Sequence, residues 1–166
     1  MIHIFKLSTV FILLFTIPGI TMQGKVARAV VDKTIYYKAL AGSDLTEVNA
    51  MLDQLEKGGF PEKAAYEGAL LMKKAGLVKK ISEKLSFFKS GRAKLEEAIK
   101  NNGGNVEYHF LRLIIQENAP KIVRYRGNLT QDTKIVRTSF NKLPAPIQQI
   151  VKEYSKNSKI LNPADF

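Results

Sequence analysis

The chain has 166 residues, with 26 Lys and Arg against 15 Asp and Glu, a formal net charge of +11, two histidines and no cysteine. Without cysteine there is no disulfide, no thiol nucleophile and no cysteine-ligated metal, so stability has to come from packing. The positive surplus points either to solvated helix faces, as the scattered Lys73-Lys74, Lys79-Lys80, Lys100 and Lys152 suggest, or to anionic partners. Nucleic acid would be the first of these in a cytosolic chain.

The first elements redirect that expectation. Leu7 to Ile17 (LSTVFILLFTI) is an apolar run behind His3 and Lys6, closed by Pro18-Gly19. This is the layout of an export signal, expected to span residues 1–24 with cleavage between Thr21 and Gly24, the alternative being an uncleaved anchor over Ile4–Met22. Residues 25–166 then have the length of a single domain, with no second segment able to span a membrane. A periplasmic or secreted location follows. Nucleic acid becomes an unlikely partner there, and an anionic envelope component or a protein replaces it.

Every later segment reads as helix, because no run sustains period-two alternation. Lys25 to Leu40 is the first, with Val26, Val30, Ile35 and Tyr37 as its apolar side. Asp44 with Glu47 three residues on forms a capping box for the second, which carries Leu45, Val48, Leu52 and Leu55 and stops at Gly58-Gly59. Pro61 suits the first turn of a third helix that closes at Gly76. The fourth begins between Val78 and Leu85 and ends at Asn101, with a stripe of Leu85, Phe88, Leu95, Ala98 and Ile99. The fifth, Val106 to Asn118, is apolar almost all round and is therefore expected at the centre of the domain. Asn128, with Gln131, caps a sixth helix carrying Leu129, Ile135, Val136 and Phe140. Pro144 and Pro146 open the last, and the tail after Ser158 is expected to be extended. Short connections imply antiparallel neighbours.

Gly91, Leu95, Ala98 and Gly103 follow the second-helix half of a tetratricopeptide motif, and residues 64–118 as a whole resemble a degenerate tetratricopeptide-like repeat. The resemblance implies an all-α array of antiparallel hairpins, a short α-solenoid, that binds partners on a concave face. Small residues at Gly91 and Ala98 would let neighbouring helices approach closely. The chain is also similar to small, exported, basic, all-helical proteins of Gram-negative bacteria, which implies an envelope location and no particular activity.

On the fifth helix one polar stripe interrupts the apolar surface: Asn105, His109, Arg112 and Gln116, at i, i+4, i+7 and i+11. It is read as either a partner-binding face or the solvent edge of that helix. Arg124, Tyr125 and Arg126 gather at the next break, where two guanidinium groups beside a phenol could clamp a carboxylate or phosphate, or could cap a helix end. Phosphate loops, H-E-x-x-H and nucleophile-elbow patterns are missing, so no cofactor, metal or catalytic residue is expected. A carboxylate hydrolase on Glu67, Glu96, Glu97 or Glu107 is the enzymatic rival. The favoured expectation is a non-catalytic protein binding a protein or envelope partner, with charge-driven adhesion to an anionic polymer or lipid as the alternative.

Overall fold

The structure, a computed structural model, describes residues 31–166. The expected leader and the first residues of the first expected helix lie outside the described residues. Seven α-helices follow in order: α1 (Lys33–Ala41), α2 (Leu45–Lys57), α3 (Lys63–Leu77), α4 (Ile81–Asn101), α5 (Val106–Asn118), α6 (Leu129–Thr138) and α7 (Ala145–Ser155). Short 3-10 turns occupy Lys121–Val123, Phe140–Lys142 and Pro163–Asp165. The described residues contain no strand, so the fold they form is all-α as its periodicity requires. None of these helices is long and apolar enough to cross a membrane.

Local chemistry sets the helix boundaries. Asp32 caps α1 by accepting from the Thr34 and Ile35 amides at 2.8 and 3.2 Å. Asp44 caps α2 through the Thr46 amide at 2.7 Å. The expected return bond from Glu47 is not made, because its carboxylate turns to Lys38 at 3.0 Å. Asn105 caps α5 through the amides of Glu107 and Tyr108. Asn128 holds the cap position of α6 without a side-chain bond. Its φ of −102° and ψ of 2° are not the extended backbone that aims a cap side chain at the first turn. Pro144 and Pro146 open α7, where an amide hydrogen would have no helical partner anyway.

Helices α3 and α4 form the closest pair, and they run antiparallel. Lys94 meets Glu67, Gly91 lies beside Met72, and Lys74 lies over Phe87, so contacts advance along one helix as they retreat along the other. Gly68 and Gly91 make the approach possible. A Cβ on Gly91 would stand 2.5 Å from the Gly68 carbonyl oxygen, and one on Gly68 would stand 2.7 Å from the Leu95 amide nitrogen. Ala98, the other small residue expected at such a contact, is only partly buried.

Helix α5 is sheathed by its neighbours. Phe110, Leu111 and Leu113 are completely buried, and Ile114 and Ile115 nearly so. Helix α1 packs on α2, α3 and α7, which brings the last helix back to the first. Two apolar assignments are corrected. Ile35 faces solvent while Tyr36, Tyr37, Ala39 and Leu40 carry the contacts of α1, and Leu85 is exposed because no described element covers the start of α4 on that side. The tail is not simply extended either. Glu117 accepts from the Ser158 hydroxyl and the Lys159 amide, Leu161 is buried, and Phe166 stacks on Phe140 at 4.7 Å.

Candidate functional site

The polar stripe of α5 does share one face, and that face points inward. His109, Arg112 and Gln116 are 4%, 4% and 0% exposed, so the stripe is neither an open contact surface nor a solvent edge. Its partner is Asp132 of α6, itself fully buried. Arg112 binds Asp132 in a fork, Nε to Oδ2 at 2.7 Å and Nη2 to Oδ1 at 2.8 Å, and sends Nη1 to Glu96 of α4 at 2.7 Å. His109 places Nδ1 2.7 Å from Asp132 and Nε2 2.9 Å from the Gly103 carbonyl oxygen. Both of those oxygens can only accept, so both ring nitrogens must donate and the imidazole is cationic. The hydrogen bond to Asp132 accordingly raises the His109 pKa against the opposing effect of burial. For Arg112, burial works against the charge, and Asp132 and Glu96 override it. Two cations and two carboxylates thus balance one another and join α4, α5 and α6. Gln116 stands apart, with neither amide atom hydrogen-bonded among the described residues.

The segment after α5 divides its residues among three tasks. Tyr125 is buried against α4, its hydroxyl donating to Glu96 Oε1 at 2.6 Å and its ring meeting Phe88 edge-on at 5.7 Å. Burial first, and then Glu96, push its pKa up. Arg126 donates to the carbonyls of Glu117 and Ala119, both at 3.0 Å, and so closes the end of α5. Arg124 is exposed and is the one non-glycine among the described residues with positive φ, at 48°. The three side chains therefore form no anion clamp.

Three of the four expected carboxylates are likewise engaged, and the fourth, Glu97, is exposed on α4 with no ion pair among the described residues. Glu67 pairs with Lys63 and Lys94, and Glu96 serves Arg112 and Tyr125. Glu107 accepts from Tyr66 at 2.6 Å, Tyr37 at 3.1 Å and Lys33 at 3.3 Å, beside a cavity of about 330 Å³ between Glu62, Asn105 and Lys142. Burial raises its pKa despite Lys33, and the cluster ties α1 to α3 and α5.

What remains open to solvent is an edge that sequence reasoning overlooked. Ile81 is 74% exposed, Leu85 54% and Ile122 87%. Ile81, Leu85, Phe88, Arg92 and Glu96 recur at helical spacing along one side of α4. From Phe88 onward that side is covered by Tyr125 and Arg112, and at Ile81 and Leu85 it is left exposed among the described residues. The 3-10 turn bearing Ile122 lies three residues before Tyr125, whose ring meets Phe88 and lies under Arg92, so the turn is tethered to this side of α4. Next to these side chains in the chain are the exposed cations Lys79, Lys80, Lys89, Arg92, Lys121 and Arg124, with half-buried Lys84, while Glu83 is the one acid within residues 79–92 and 121–124. None of those lysines, nor Arg124, pairs with a carboxylate among the described residues. No sequence signal for the edge was missing. Leu85 was assigned inward by periodicity, which reports a face and not whether a neighbour covers it.

No family model, curated protein or solved structure matches this chain.

Proposed function

We propose that this chain is an exported, non-catalytic helical protein that binds an envelope partner through the edge formed by the start of α4 and the Lys121–Arg124 turn. The observation that carries the reading is the coincidence of three exposed aliphatic side chains with uncompensated cations. Single exposed apolar residues are common on protein surfaces, but a cluster rimmed by one sign of charge marks a binding surface. The inward-turned His109, Arg112 and Gln116 support moving the contact surface away from α5. Arg124 stays in the proposed surface, whereas Tyr125 and Arg126 serve to hold its turn in place. The antiparallel α3–α4 pair joined through Gly68 and Gly91 supports a hairpin array of the tetratricopeptide-like kind. The non-catalytic reading is supported by the interior carboxylates and His109, each already bonded to protein partners.

A photo-cross-linker on a cysteine at position 122 (Ile122→Cys) tests the surface. Because the chain has no other cysteine, labelling is confined to the chosen position. Exposed to an envelope fraction, the label at 122 should form adducts that the same label at Gln149 of α7 does not. Equal adduct yields at both positions would refute the assignment.

A further inference from the structure

We infer that the partner of this edge is the anionic face of a phospholipid bilayer, on which the start of α4 and the Lys121–Arg124 turn lie with Ile81, Leu85 and Ile122 directed into the acyl boundary. The inference rests on the surface proposed above and names its occupant. Three arguments select lipid.

The first is composition. Protein–protein interfaces are depleted in lysine and anchored by aromatic residues and arginine seated in pockets. This edge is lysine-rich instead, its aliphatic tips set among five lysines and two arginines with no aromatic side chain fully exposed. The second is shape. Ile122 stands 87% exposed at the top of a 3-10 turn, and Ile81 stands 74% exposed at the end of a helix. These are protrusions, which can enter a soft interface and would need matching hollows on a rigid partner. The third is charge. Long lysine side chains can lay their methylenes beside the aliphatic residues and raise their ammonium groups to phosphate level. An anionic polymer would satisfy the cations equally well, but it would leave Ile81, Leu85 and Ile122 in water. Lipid satisfies both kinds of group. Each lysine or arginine near an anionic leaflet adds attraction that ordinary salt weakens.

The test uses the full chain with an environment-sensitive fluorophore on a single cysteine, introduced as Ile122→Cys, Leu85→Cys or Gln149→Cys. Vesicles contain either phosphatidylcholine alone or phosphatidylcholine with phosphatidylglycerol, with and without a lipid-borne quencher. On anionic vesicles the labels at 122 and 85 should shift to the blue and be quenched from within the bilayer, while the label at 149 does neither. Phosphatidylcholine vesicles and high salt should abolish both effects. Changing Lys121 and Arg124 together to glutamate, with the label at 85, should weaken binding by about tenfold or more.

If the chain sediments with vesicles while positions 122 and 85 stay in water, another part of it, such as the apolar run Leu7–Ile17, makes the contact and the inference is overturned. Equal quenching at 149 overturns it too, since no particular edge then faces the lipid. If vesicles leave all three labels unchanged while the label at 122 still cross-links to an envelope protein, the binding surface stands and its lipid occupant does not.

Discussion

Replacing Gly91 by alanine sets two well-characterised effects against each other. Helix propensity favours alanine over glycine by about 1 kcal/mol in a helix interior. The packing acts in the opposite direction. The added methyl would lie 2.5 Å from the Gly68 carbonyl oxygen, 2.8 Å from the Met72 amide nitrogen and 2.9 Å from Met72 Cγ. Favourable contacts between such atoms begin near about 3.5 Å. Met72 Cγ can rotate aside, but the two backbone atoms cannot, so α3 and α4 must move apart along their whole contact. Overpacking of this kind costs about 1–3 kcal/mol, and more where backbone has to shift. The steric effect exceeds the propensity gain, and Gly91→Ala should destabilise the fold by roughly 1–3 kcal/mol net. Gly76, in α3, has nothing within 4 Å of an added Cβ, so Gly76→Ala should be neutral or stabilise by up to about 1 kcal/mol. Urea unfolding followed by far-ultraviolet circular dichroism measures both, provided the denaturant slope is unchanged. A Gly91→Ala protein as stable as the parent would mean that the two helices do not meet backbone to backbone.

Four further outcomes follow from the interior and the exposed turn. Asp132→Asn leaves His109 and Arg112 short of a buried countercharge and should lower stability by about 3–5 kcal/mol, the usual effect of breaking a buried pair; a loss below about 1 kcal/mol would show the three groups to be solvated. His109 holds its proton more tightly folded than unfolded, so its contribution is complete below about pH 6.5 and is lost as pH rises through the higher native pKa. Stability of the parent should therefore fall with pH above about 6.5 by up to about 1.4 kcal/mol per unit more than that of His109→Gln, and parallel pH profiles would contradict a cationic imidazole. Gln116→Met replaces an unpaired buried amide with an apolar group of similar size and should raise stability by about 1–2 kcal/mol; a decrease would show the amide to be bonded. Arg124→Gly relieves a left-handed residue and should stabilise by about 0.5–1 kcal/mol while lessening the salt sensitivity of envelope binding. A stability loss there would mean that the guanidinium holds the turn.

Particular residues mark how far local pattern carries. The end of α4 and the start of α5 were legible because Asn102, Gly103, Gly104 and Asn105 break and restart a helix within a few residues. Burial of Phe110, Leu113 and Ile114 was equally legible, since a helix with apolar residues on all sides has to be covered. Glu47 was misjudged because a cap bond and an ion pair with Lys38 compete for one carboxylate, and only the position of α1 decides between them. Asp132 could have been found. It shares a helical face with Leu129 and Val136, and an acid on an apolar face of α6 demands a buried cation.

Composition and periodicity alone determined that this is an all-helical chain with a basic surface, that α5 lies at its centre, and that Asn105, His109, Arg112 and Gln116 share one side of it. These properties depend on neighbours within one or two turns. The tertiary structure decided that this side meets Asp132 and Glu96, distant in the chain, and that the corresponding side of α4 is left uncovered at Ile81 and Leu85. Helical spacing sets the direction of a side chain relative to its own axis, whereas what that side chain meets depends on how separately formed helices pack.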